Sequence, residues 1–171
     1  VCVPGAMQVR VVEPSSGVED GTAKELLTTA AQVQQLKSAD AARHIPVKIR
    51  GVVIYAARDS VVLNDFSGGV FISARALSWD QQPSVGEFWE IEGSTDAGLF
   101  SPVVTADRST FLGYAPMPEP VRPIRDQLMT GNLDAHYVEL RGVITSLSSN
   151  EIEMLLPDGR VSLVEDRERP L

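Results

Sequence analysis

The sequence is poor in the side chains that do chemistry: one cysteine, Cys2, and two histidines, His44 and His136, among 171 residues. A lone thiol forms no internal disulfide, and a thiolate metal cluster needs several. Neither histidine has a His, Cys or carboxylate partner at ligand spacing, so both read as turn or surface residues and no metal site is expected. The Gly-x-Ser-x-Gly elbow, the His-Glu-x-x-His helix and the phosphate loop are all missing. Long apolar runs are missing too, since nothing approaches the roughly 18 residues that span a bilayer. Positive charge is the last shortage. Fifteen Lys and Arg against 23 Asp and Glu leave a net charge of -8, whereas a phosphate-holding face needs a positive field. Nucleic acid is therefore a disfavoured partner, although a local basic groove could survive.

What is present is the composition of an ordinary globular protein, with 43% hydrophobic and 22% charged residues. The chain begins at Val1 without methionine and reads as a mature protein or a fragment, so any membrane tether is expected outside these residues. Cys2 reads either as a spare thiol in a loose tail or as a lipid-bearing or intermolecular cysteine. Residues 1–25, with Pro4, Pro14, Gly17 and Gly21, show no sustained period and read as a leader or linker, with room for one added strand at Val9–Val12.

A helix is expected from Thr29, where Thr29-Ala30-Ala31-Gln32 fits a capping box and Val33 and Leu36 supply an apolar stripe. Ser38 to Arg43 adds a second helical turn. From Pro46 the period becomes two: Val47, Ile49, Val53 and Tyr55 alternate with Lys48 and Arg50. Gly51 interrupts this strand and marks a bend or a close backbone approach. Val61–Leu63 and Val70–Ile72 read as a hairpin turning at Ser67 to Gly69, a turn that by itself accounts for the Gly68-Gly69 pair. Trp89 and Ile91, alternating with Glu90 and Glu92, make a fourth strand, and Pro102 to Thr105, extending toward Leu112, a fifth. The two glutamates read as a solvated face rather than an acid–base pair. Trp89 is expected in the core and Trp79 at one barrel end. Asp65 and Asp158 need no more than turn chemistry.

An internal repeat fixes the unit of folding. Val47-Lys48-Ile49-Arg50-Gly51-Val52-Val53 matches Val138-Glu139-Leu140-Arg141-Gly142-Val143-Ile144 at an offset of 91 residues, the difference between 138 and 47. Without a gap, Val61 then pairs with Ile152, Leu63 with Met154, Val70 with Val161 and Ile72 with Leu163. Inward positions stay apolar while outward ones drift, as selection for a buried face would produce. The same offset sets Val33 opposite Ile124, in a second helix running toward Gly131, and brings His44 close to His136.

Five short strands with a glycine in a bent first strand suggest the oligonucleotide/oligosaccharide-binding (OB) barrel. The fold class expected is mainly β with short helices: an OB-like five-stranded barrel over 26–116, then a second, incomplete copy over 117–171 that is truncated or open. The missing strands come from elsewhere, or the last segment packs as an open sheet on the first barrel. Leu27 to Leu36, Ala41-Ala42-Arg43, Pro46 to Val53, Ser67 to Phe71, Val85-Gly86 to Glu92-Gly93 and Val121 to Leu128 together resemble the extracytoplasmic input region of bacterial membrane sensor histidine kinases. That resemblance implies a sensory or scaffolding module of a two-component signalling protein in the bacterial periplasm, with any kinase activity outside this chain. It implies no cofactor, and an unidentified ligand or protein partner. Similar OB-like units accompany secreted nucleases and occur in surface proteins, so a nucleic-acid or polysaccharide-binding module beside a secreted hydrolase stays open, as does a plain spacer. OB barrels bind with strands two and three and the loops after strands one and four, here Ala56–Ser60 and Thr95–Ser101. Tyr55, Arg58, Phe71 and Phe100 are the side chains there able to stack on or clamp a ligand, or simply to pack the rim.

Overall fold

The computed structural model describes residues 25–73, 82–131 and 133–164; Cys2, Val9–Val12 and Trp79 lie outside them. Its first unit consists of α1 (Ala30–Gln34), α2 (Ser38–Ala41), β1 (Pro46–Ala56), β2 (Ser60–Asp65), β3 (Gly68–Ser73), β4 (Glu87–Asp96) and β5 (Val103–Tyr114). The five strands close a barrel in the order β1-β2-β3-β5-β4. Only β3 and β5 run parallel. This is an OB-like barrel.

Closure depends on β1 serving two neighbours. Its Pro46–Val52 half pairs with β4 and its Val52–Ala56 half with β2, across a bulge between Val53 and Tyr55. Gly51 sits where the strand turns from one to the other. A Cβ there would lie 2.7 Å from the Asn64 carbonyl oxygen, so only glycine lets β2 approach so closely. Inward residues alternate as the period required: Val47, Ile49, Val53, Val61, Leu63, Val70, Ile72, Trp89, Ile91, Val104 and Ala106 form one core with Ala30 and Val33 of α1. Each buried aliphatic side chain contributes roughly 1.5–3 kcal/mol.

The capping box of α1 is present, with Gln32 Oε1 accepting from Thr29 N at 3.1 Å. More of the cap comes from the β2–β3 hairpin. Asp65 Oδ2 accepts from Ala30 N at 2.9 Å, and Ser67 Oγ accepts from Ala31 N at 2.9 Å. The Oδ1 of Asp65 meanwhile takes Ser67 N, Ser67 Oγ and Gly68 N at 2.6, 2.6 and 3.1 Å. This Asx turn draws the reversal back to Phe66-Ser67, not Ser67–Gly69, and Gly68 already belongs to β3. Gly69 also has a different reason from the turn expected: a Cβ there would collide with the Ala135 carbonyl of the second unit. β5 runs to Tyr114, lengthened because β4 pairs with it along its whole length.

The second unit comprises α3 (Arg125–Leu128), β6 (Val143–Leu147), β7 (Glu151–Leu156) and β8 (Gly159–Val164), the strands forming a three-stranded sheet β6-β7-β8. Correspondence at 91 residues extends to single bonds. Ala57 N donates to Ser60 O and Ser148 N to Glu151 O, at 2.8 and 2.9 Å. The β6–β7 ladder shifts between Ile144 and Ser146, the counterparts of Val53 and Tyr55. His44 and Ala135 both have a positive φ, 53° and 58°, so the counterpart of His44 is Ala135 and not His136. The helices are out of step with the strands. Val121 bridges Val138 as Leu27 bridges Val47, and Gln127 accepts from Ile124 N as Gln32 does from Thr29 N. Ile124 therefore corresponds to Thr29 rather than Val33, because the second copy is three to four residues shorter between helix and strand.

Candidate functional site

The barrel's outer surface divides by chemistry. Along β1 and β4 it is a charged ladder. Arg50 Nε lies 2.5 Å from Glu90, and Lys48 Nζ lies 3.1 Å from Glu90 and 2.7 Å from Glu92. The hydrogen bond from Arg50, then that from Lys48, holds the Glu90 carboxyl below the usual carboxylate range. Glu92, then Glu90, holds the Lys48 ammonium above its ordinary value. With both carboxylates engaged by cations, the ladder is a paired surface, with no free acid–base couple.

Around β1, β2 and β3 the outer surface is apolar and aromatic instead. Register sets Tyr55 beside Val62 and Val62 beside Phe71, one row across three strands. The bulge after Val53 aims Tyr55 outward, where it is 44% exposed; Phe71 is half-buried, and Val62 between them is buried. Adjacent strands stand about 4.8 Å apart, so the Tyr55 and Phe71 backbones are about 10 Å from each other on either side of the buried Val62. Arg58 is exposed in the three-residue turn that follows β1. Two aromatic side chains in one row can hold a planar or extended ligand by stacking, and an exposed guanidinium in the adjoining turn can add charge. Tyr55 and Phe71 thus lie in one row on the barrel, and Arg58 in the turn between β1 and β2.

Phe100 is placed elsewhere. It is 79% exposed on the β4–β5 loop and lines an open cleft of about 540 Å³ with Leu36, Lys37, Asp134 and His136. None of Tyr55, Arg58 or Phe71 borders that cleft. Ser101 Oγ donates to Asp134 Oδ2 across it, and His136 Nδ1 lies 2.9 Å from the Asp134 carbonyl oxygen. Sequence reasoning missed Lys37 and Asp134, because the cleft is made by the second unit folding back on α1 and the loop before β5. The sole sequence signal was Gly69, which the Ala135 segment of the second unit abuts.

Polar groups inside the barrel are structural. Thr95, fully buried, accepts from Ile45 N at 3.0 Å and donates to the Ala41 carbonyl at 2.7 Å, tying α2 to β4. Glu87, 5% exposed, accepts from Trp89 Nε1 and Ser84 N, both at 2.9 Å. Among the described residues no group of three His, Cys, Asp or Glu could hold a metal ion. No described helix is long and apolar enough to cross a membrane.

No protein-family model and no curated protein matches the chain. Among solved structures it is similar to that of the hypothetical protein ygiW from E. coli, at 20% identity over 50% of this chain and 89% of that one, with a TM-score of 0.41. It is also similar to the S. pombe Stn1-ten1 complex, at 17% identity over 56% of this chain and 81% of that one, again with a TM-score of 0.41. Likeness at such identity concerns fold alone, and these scores add nothing to what the strand order already establishes about this chain.

Proposed function

We propose that this chain is a non-catalytic binding module, the sensory or scaffolding part of an extracytoplasmic two-component signalling protein, and that it takes its ligand or partner on the outer face of β1–β3. The observation that supports this most is the Tyr55–Val62–Phe71 row, an aromatic strip beside a ladder whose charges are already paired. Signalling would require two arrangements of the protein, one of which the ligand favours. The test has two parts. Reading the open frame onward should reveal a membrane segment and kinase domains; a frame without them sinks the signalling role. In that full-length protein, Tyr55→Ala with Phe71→Ala should abolish the response of autophosphorylation to the stimulus while leaving its basal rate unchanged. An unaltered response removes the strip from the mechanism.

The same strip, with Arg58 exposed in the turn between β1 and β2, also favours a single-stranded nucleic-acid or polysaccharide binder. Titration with oligo-dT and with a soluble oligosaccharide separates the two. Nucleic-acid affinity falls steeply with salt, whereas neutral sugar affinity does not.

A further inference from the structure

We propose that the open side of the β6–β8 sheet is the seat of two further strands of the same polypeptide, docked on it as β4 and β5 dock in the first barrel. The second unit reproduces the first closely enough to show what it lacks. A Cβ at Gly142 would collide with the Leu155 carbonyl, just as one at Gly51 would meet that of Asn64. The bend that closes the first barrel is therefore built into the second.

The positions that would face a barrel interior are not enclosed. Val53 is fully buried, whereas its counterpart Ile144 is 56% exposed; Ile152, Met154 and Leu163 are only partly covered, although Val61, Leu63 and Ile72 are fully buried. Among the described residues two backbone rims are open as well. In the first unit Val47–Val52 pairs with β4 and Ile72 with β5. Residues 139–142 belong to no strand, and the described pairing of Leu163 is to Ile152 alone. The rims lie on opposite sides of the sheet, so one strand cannot satisfy both; two strands paired to each other can.

Charge specifies the first of them. Arg50 faces Glu90 across the β1–β4 ladder, whereas among the described residues its counterpart Arg141 bonds only back to Glu139 on its own segment, at 2.5 Å. The strand laid along 138–142 should carry a carboxylate opposite Arg141. Because the repeat holds without a gap from 138 to 164, the source is the same chain, about 91 residues after β4 and β5.

The experiment compares the 171-residue chain with the same chain extended by the next 40 or so codons of its reading frame, by amide hydrogen exchange. Extension should slow exchange at Glu139, Leu140, Arg141 and Gly142 by at least about 100-fold, toward the rates at Lys48–Gly51. Ile144→Asp should reverse that protection in the extended chain, yet leave exchange across β1–β5 unchanged in both. A stop codon soon after Leu171, a downstream segment without two amphipathic strands, or unchanged exchange on extension would each overturn the proposal. Concentration-dependent protection of the 171-residue chain alone would also overturn it, assigning the face to a second copy.

Discussion

Asp65 carries more of the first unit's organisation than its place in a turn suggests. Its carboxylate accepts from three groups of its own hairpin and from the first backbone N–H of α1. Asp65→Ala leaves those donors unpaired and should destabilise the barrel by about 1–3 kcal/mol in chemical denaturation; a loss below about 0.5 kcal/mol would show that the cap is dispensable. Thr95→Val keeps the volume and removes a hydroxyl that is bonded at both sides, so a similar cost is expected, with the Ile45 N–H losing its acceptor and the Ala41 carbonyl keeping only His44 N. Gly69→Ala tests the junction: the methyl group meets the Ala135 carbonyl, and the loop 133–136 should lose exchange protection while the barrel core keeps it. The turn role of Asp65 was legible in the sequence. Its capping role was not, because Ala30 lies 35 residues away. Gly69 was misread for the same reason, its constraint coming from the second unit.

Periodicity exposed the strands and left their ends to tertiary pairing. Val47, Ile49 and Val53 announced β1, and the repeat fixed its register against Val138 to Ile144. The extension of β5 toward Leu112 was read to within two residues of its end at Tyr114, although Asp107 to Tyr114 is held by its ladder with β4 rather than by a buried face. The β1–β4 ladder also sets a pH response. Glu90 titrates below the usual carboxylate range when folded, so its contribution is present above that range and lost as pH falls through the lowered folded value. Lys48 titrates above its ordinary value, so its contribution is present below that value and lost as pH rises through the raised one. Arg50→Met should move the Glu90 titration upward in carboxyl NMR; an unmoved midpoint would mean the ion pair does not form in solution. Of the four ligand-facing candidates, loop positions gave Arg58 and Phe100 and strand alternation gave Phe71, whereas the same alternation set Tyr55 on the face of Val47, Ile49 and Val53 and the bulge turns it outward instead. That Tyr55 and Phe71 share a row and Phe100 lies elsewhere could be known only from the closed barrel and the folded-back second unit.

Across the whole molecule the two units are unequally built. One encloses its inward apolar positions, Val53 among them; the other leaves the counterpart Ile144 at 56% exposure, and Val143, Leu147 and Val164 at 66%, 72% and 63%. Unfolding should therefore occur in two steps, with β6–β8 exchanging its amides well before β1–β5. A single coincident loss of protection would show that the units stabilise each other more than these contacts suggest. The duplication itself was visible from the 91-residue offset, but not the three- to four-residue deletion that shifts α3, since helices of four and five residues carry too little pattern to align. The cap on α1 also has a kinetic meaning. A five-residue helix cannot persist by itself, and two of its terminal donors have no side-chain acceptor until Asp65 and Ser67 arrive. The β2–β3 hairpin must then form first, and α1 condenses onto it, so the element earliest in the first unit's sequence is among the last to settle as the chain folds.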